Sequence, residues 1–214
     1  MPLCGLEQKK SPRETMRPIL IGSGFYSSAA DHDKKLNQLE RWTVNTLRSG
    51  IGTMVIVDNS TIGTGWTFPR MIRVNNNLGH ASDPRSLKSG NLLGWSLSWI
   101  HPALIAYAEG CDFIYKEQDC LAFGNWIDAI RFGKMTIGRN HFMPCEQSLF
   151  YISHDYILEA VRDFMNMPGH DSVVTTEEKF RIMLHESNGD IQFHELPGGR
   201  NRPLPDFRKP FYLQ

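Results

Sequence analysis

The sequence predicts a single α/β domain, a mixed and mainly parallel sheet flanked by helices. Three observations predict it. The first 120 residues alternate short β-branched runs with longer amphipathic segments, in the order strand, helix, strand, strand, helix, strand. Several of those runs are apolar almost throughout, as strands buried on both faces are. The 214 residues, 41% apolar and 21% charged, suit one core of ordinary globular composition. That composition excludes a disordered tail, collagen-like or coiled-coil material and a disulfide miniprotein. The net charge is zero, with 23 basic and 23 acidic residues. A general nucleic-acid binder carries a basic excess instead.

Pro18 to Gly24 (PILIGSG) reads as a buried strand closed by a tight glycine turn. Lys34 to Arg48 reads as an amphipathic helix, with Leu36, Leu39 and Leu47 on one stripe, Thr43 filling its gap and Val44 flanking it. Thr53 to Asp58 (TMVIVD) is a second strand, ending in Asp58-Asn59-Ser60, and Met71 to Val74 is a third. Leu87 to Glu109 is mostly helical with a break expected at His101-Pro102, since proline disfavours helix in the residue before it. Gly110 is a stop signal. Asp112 to Lys116 (DFIYK) is a fourth strand, running into Glu117-Gln118-Asp119.

The second half is less regular. Met135 to Gly138, Ser148 to Ser153 and Ile191 to His194 are strand candidates. His154 to Met165 is a helix candidate with Ile157, Val161 and Phe164 on one stripe, and Thr175 to His185 is another, with Thr175 or Thr176 as N-cap. Residues 1–17 are polar, lack an apolar signal region and read as a ragged start. Residues 196–214 are rich in Pro, Gly and Arg and read as a loop or a boundary leading into a further domain. No apolar run approaches the ~20 residues that span a bilayer. Cys4, Cys111, Cys120 and Cys145 form no CxxC pair and read as reduced thiols in a cytoplasm-like compartment.

If the strands are parallel, Gly22-Ser23-Gly24, Asp58-Asn59-Ser60 and Glu117-Gln118-Asp119 share one rim, where ligands of such sheets bind. Two carboxylates one residue apart at a strand tip can face one pocket. Their hard oxygens suit Mg²⁺ or Mn²⁺ bridging a diphosphate. Taken alone, such a triplet is more often a solvated strand end; the other two polar strand tips bring the two readings level. Residues 75–94 concentrate Asn, Gly and Ser before a long helix, with Arg85 and Lys88 as phosphate candidates. The alternative there is a polar surface loop with ordinary capping. Trp95 and Trp99, at i and i+4, read as core, whereas Trp66 and Phe68 suit a substrate lip.

In this order the chain resembles the nucleotide-sugar glycosyltransferases of the GT-A (Rossmann-like) fold over residues 18–195. The residues that carry the likeness are Asn77-Leu78-Gly79-His80-Ala81, matching an N-x-G-x-A loop, and Gly110-Cys111-Asp112-Phe113, matching a G-x-D-[FY] turn into a DxD-type motif. Within that family it looks most like the small glycosyltransferase domain with which a large algal virus decorates its capsid protein. The resemblance implies a nucleotide half over about 18–120 and an acceptor half over about 121–195. It implies a UDP-sugar donor, a glycan or glycoprotein acceptor, Mn²⁺ or Mg²⁺, and inverting transfer, in the host cytoplasm if viral. Nucleotide contacts would come from Gly22, Ser23, Gly24, Asp58, Asn77, Arg85 and Lys88. Metal ligands would be Asp119, Glu117 and a late histidine, His194 ahead of His185. Glu117 departs from the usual first Asp. The family's later acidic pair is matched by Glu177-Glu178, with Glu178 favoured as general base. Adjacent helix residues point about 100° apart, so only one can face the acceptor hydroxyl. The same pair also reads as N-terminal helix charge.

Two other readings compete. A Rossmann dinucleotide binder would use IGSGFYSSA as its G-x-G-x-x-G turn, but Ser27 replaces the third glycine and a polar stretch delays the helix. A non-catalytic carbohydrate-binding domain on the same fold is the other.

Overall fold

The computed structural model describes residues 16–74, 94–139, 146–166, 182–183, 190–195 and 211–213. Its main sheet has seven strands, in the order β3-β2-β1-β4-β7-β6-β8. They are β1 (Ile19–Phe25), β2 (Met54–Asp58), β3 (Arg70–Arg73), β4 (Asp112–Lys116), β6 (Met135–Arg139), β7 (Glu146–Ile152) and β8 (Ile191–Glu195). The ladders β1–β2, β2–β3, β1–β4 and β6–β8 are parallel, and β7 alone runs against its neighbours β4 and β6. A separate pair joins β5 (Leu121–Phe123) antiparallel to β9 (Phe211–Leu213). Neither strand is anticipated by the sequence reading. Three residues give no periodicity to detect, and β9 finds its partner 88 positions back in the chain at the nearest pair, Phe211 opposite Phe123.

The period of two along each central strand builds a core on either face of the sheet. On one face Leu20, Val55, Phe113 and Tyr115 meet α2 (Gly94–Ala108) and α4 (Ile157–Asn166), with Trp95, Trp99, Ile157 and Phe164 buried among them. On the other, Ile21, Phe25, Ile56, Ile114 and Leu149 meet α1 (His32–Arg48) and α3 (Trp126–Ile130), with Leu39, Trp42 and Trp126 buried. The chain is therefore an α/β layer structure, a mostly parallel sheet between helices.

Three local expectations are corrected. First, the buried stripe of α1 is Leu39, Trp42, Thr43 and Thr46, while Leu47 and Val44 are exposed. The indole of Trp42 turns that face inward, donating to the Lys116 carbonyl at 3.0 Å. Second, α2 continues through His101-Pro102 without a break. Interior proline costs a helix roughly 3 kcal/mol, but here the ring seats over β1, where a methyl on Gly22 would stand 2.6 Å from the Pro102 Cβ. Third, Gly22-Ser23-Gly24 is not a turn, since β1 runs on to Phe25. A methyl on Gly24 would lie 2.4 Å from the Ser98 Cβ, so these glycines let α2 approach the strand.

Trp95 and Trp99 are core residues, as read. Cys111 and Cys120 are buried and take part in no disulfide among the described residues, while Cys4 and Cys145 lie outside them. No helix among the described residues is long and apolar enough to cross a membrane.

Candidate functional site

Strand order locates the site before any side chain does. From β1 the chain lays β2 and β3 to one side, then returns through α2 to lay β4 on the other. At such a reversal the connections leave in opposite directions and open a crevice beyond the carboxyl ends of the strands. The crevice here is bounded by the ends of β1 and β4, with the end of β2 alongside.

At the end of β4 the backbone turns over Glu117–Cys120, closed by the Cys120 amide donating to the Glu117 carbonyl at 2.9 Å. The Glu117 amide donates to the Ser148 carbonyl of β7 at 2.8 Å. The Trp95 indole N–H donates to Glu117 Oε1 at 2.9 Å. The Tyr26 amide, just past β1, donates to Gln118 Oε1 at 3.3 Å and ties the two lips of the crevice together. Asp119 is half-buried, and its carboxylate makes no hydrogen bond or ion pair among the described residues. Charge gathers at this tip. Burial, then the carboxylate of Glu117 and more weakly that of Asp119, push the Tyr115 phenol well above its ordinary range, against the Ser98 hydroxyl 2.9 Å away. The adjacent Lys116 lies on the other face of the sheet. It is fully buried, with Nζ 2.6 Å from Asn45 Oδ1 and 3.0 Å from Thr46 Oγ1, over the rings of Trp42 and Trp126. Burial pushes its ammonium down to about 8, with the Cys120 thiol opposing.

The end of β2 is organised from within. Asp58 is buried and takes two donors on each oxygen. The Ser60 amide (3.0 Å) and hydroxyl meet Oδ1, while the Thr64 amide (3.0 Å) and Arg73 (2.9 Å) meet Oδ2. Burial alone would raise its carboxyl, but the Ser60, Thr64 and Arg73 donors together hold it below the ordinary carboxylate range. The β1 and β2 loops are stitched to each other by the Asn59 amide on the Phe25 carbonyl and the Thr61 amide on the Ser27 carbonyl. Ser27 Oγ lies 2.8 Å from His32 Nδ1.

Of the residues read from sequence, Glu117, Asp119 and Asp58 stand together on this edge of the sheet. Gly22, Ser23 and Gly24 stand inside β1, below it. His194 lies in β8, opposite Gly138, and its side chain is outside the described set. Its strand points to the same edge but lies three strands from β4, on the order of 14 Å at the usual strand spacing. Asn77, Arg85, Lys88, Glu177, Glu178 and His185 lie outside the described residues. Among the described residues no three metal-ligating side chains come together. The two carboxylates at the tip still fit a magnesium- or manganese-sized ion, which takes one or two protein carboxylates and fills its sphere with phosphate and water oxygens. The sequence reading missed Arg73 and the Trp95 contact, since neither partner lies close to its acceptor in the chain.

No protein-family model matches the chain, and no curated protein matches it. Among solved structures it is similar to a protein from Desulfovibrio desulfuricans G20 provisionally named a nucleotide-diphospho-sugar transferase. The TM-score is 0.43 at 10% identity, over 85% of this chain and 83% of that one. A likeness this distant carries no argument about activity.

Proposed function

We propose that the chain is a glycosyltransferase, moving a sugar from a UDP-sugar to a glycan or glycoprotein acceptor with Mn²⁺ or Mg²⁺. The observation that carries this reading is the position of Glu117-Gln118-Asp119. The turn follows the strand that borders the reversal in strand order, and Asp119 has no hydrogen bond or ion pair among the described residues. The N-x-G-x-A and G-x-D-[FY] matches support the same reading from the sequence.

In this reading Asp119 and Glu117 hold the ion, phosphate and water oxygens complete its sphere, and the ion when bound would offset diphosphate charge and favour departure of UDP. Arg85, Lys88 and Asn77 meet the donor, the first two at its phosphate oxygens. Asp58 serves the nucleoside through the loop that it and Arg73 hold in shape. Gly22 and Gly24 act from beneath, by setting how closely α2 approaches β1 below the crevice, with Ser23 between them on the opposite face of the strand. Glu178, with Glu177 beside it, takes the proton of the acceptor hydroxyl. The acceptor oxygen then bonds to the anomeric carbon from the face opposite the diphosphate, and the bond from that carbon to the diphosphate oxygen breaks with its electron pair leaving on UDP. The configuration inverts.

The test is a thermal-shift panel of UDP, uridine and NAD with and without Mn²⁺. A specific ligand at about 100 times its Kd adds ~2.7 kcal/mol of stability. UDP with Mn²⁺ is expected to raise Tm while NAD is silent. Asp119→Asn removes an anionic ligand at constant size and should weaken Mn²⁺-dependent UDP binding at least tenfold, about 1.4 kcal/mol, with folding intact. A folded Asp119→Asn protein that binds UDP and Mn²⁺ as wild type does ends the metal assignment. A shift with NAD alone turns the reading to a dinucleotide binder.

A further inference from the structure

We infer that Trp95 is a positioning residue: its indole N–H fixes the Glu117 carboxylate for the divalent cation that the Glu117–Asp119 turn would share with a nucleotide diphosphate. The inference rests on the proposed metal reading and adds a residue to it.

The contact runs from the core face of α2 to the rim of the sheet. Trp95 is the second residue of α2, and only 6% of it is exposed. Its ring stands edge-on to Tyr115 at 5.5 Å and tilted against Phe150 and Phe164 at 6.4 and 6.3 Å. Three aromatic neighbours leave the indole no second rotamer without repacking the core, so its N–H is a donor fixed in direction. That donor ends 2.9 Å from Glu117 Oε1. Tyr115, which forms one wall, is itself held by its hydroxyl against Ser98 Oγ at 2.9 Å.

The chemistry of the donor matters as much as its geometry. An indole N–H donates and cannot titrate or carry charge. It therefore orients a carboxylate without itself adding a charge that would offset it. A guanidinium in the same place would neutralise the carboxylate, as Arg73 does for the buried Asp58 and Arg131 for Asp112. A glutamate has one more rotatable bond than the aspartate usual at this place in the motif. Ordering that bond costs entropy when a metal binds, and a preset hydrogen bond removes part of the cost. Supports of this kind around a metal ligand are worth about tenfold or more in affinity.

The experiment compares wild type with Trp95→Phe, which keeps most of the ring packing and removes the N–H. Isothermal titration of UDP with Mn²⁺ is expected to show a loss of about tenfold, while UDP without metal stays within about twofold. A second comparison uses Glu117→Gln. If the indole acts through Glu117, adding Trp95→Phe to Glu117→Gln should cost almost nothing further. Equal losses with and without Mn²⁺, or additive losses in the double variant, make Trp95 a packing residue and overturn the inference. Should Trp95→Phe fail to fold, the assigned Trp95 indole N–H resonance of wild-type protein is followed while Mg²⁺ is added. Movement of that resonance, saturating with the bound ion, supports the inference. Binding of Mg²⁺ with the resonance unmoved overturns it. A wild-type protein that binds neither Mg²⁺ nor Mn²⁺ overturns the metal reading and this inference together, whereas normal metal binding in Trp95→Phe removes this inference alone.

Discussion

Lys116 shows how one residue can oppose the fold it sits in. Its ammonium is sealed against water with two neutral oxygen acceptors and two indole faces, and burial pulls it from 10.5 to about 8. At 1.36 kcal/mol for each unit, a folded state that must carry the charge below pH 8 is burdened by roughly 3 kcal/mol, part of which the indoles offset. The sign follows from proton counts. Between pH 8 and 10.5 the unfolded chain holds the proton that the folded chain has released, so stability rises with pH across that window. Below pH 8 both states are protonated and the penalty is complete. Lys116→Met keeps the length and drops the charge. Urea unfolding at pH 7 and pH 10 should therefore show wild type gaining on the methionine variant by up to roughly 3 kcal/mol. A difference that does not move with pH would mean the ammonium is already well solvated or paired. Asp58 illustrates the opposite case, a buried charge whose four donors more than offset its burial.

At the scale of elements, the contact of α2 with β1 is what brings a tryptophan to the crevice at all. Gly22 and Gly24 leave the strand bare on that face, and Pro102 and Ser98 fill the space. Gly24→Ala puts a methyl where the Ser98 Cβ already stands and should destabilise the protein by about 1–3 kcal/mol. Ser98→Gly clears the same space at its own cost in helix propensity and in the Tyr115 partner. The Gly24→Ala/Ser98→Gly protein should be about 1 kcal/mol more stable than the two single changes sum to, as read by thermal unfolding. Strict additivity would mean that α2 simply shifts outward. The same elements mark what a sequence can disclose. β2 and β4 were legible because five consecutive buried residues cannot be mistaken for a surface loop. The start of α1 and its length were close, yet its inward face was not, because Trp42 outweighs Leu47 only when a carbonyl waits for its N–H. The glycines of β1 looked like a phosphate turn because a strand glycine and a turn glycine are identical until something packs on them. The carboxylates of the site were legible as a triplet. Their contrast in partners was not, since Trp95 lies 22 residues from Glu117 and Tyr26 lies 92 from Gln118.

For the whole molecule, the two edges of the sheet differ in kind. At the amino-terminal edge Asp112 is closed by Arg131 at 2.6 Å, by the Tyr151 hydroxyl at 3.2 Å and by the His154 amide at 3.0 Å. The carboxyl edge holds Asp119, with no hydrogen bond or ion pair among the described residues. With net charge zero, the molecule as a whole exerts no net attraction on an anionic donor, so recognition rests on the charges placed at the crevice. Amide hydrogen exchange offers the matching expectation. Saturating UDP and Mn²⁺ should slow exchange at Tyr26–Ser28, Asn59–Thr64 and Gln118–Cys120 and leave the amides of Asp112 and His154 unchanged. Protection confined to the Asp112 edge would move the site to the other end of the sheet.

The reversal of strand order also sets a sequence of events in time. The ladders β1–β2 and β2–β3 join neighbours along the chain, whereas the bond from Tyr26 to Gln118 closes a loop of 92 residues. Loop closure must be completed before such a contact returns anything, and long loops slow folding more than they weaken the product. As the chain emerges during synthesis, its first layer can therefore form well before β4 is available to dock beside β1. The crevice is born at that docking step, so binding competence cannot precede the arrival of β4, however early the first layer forms.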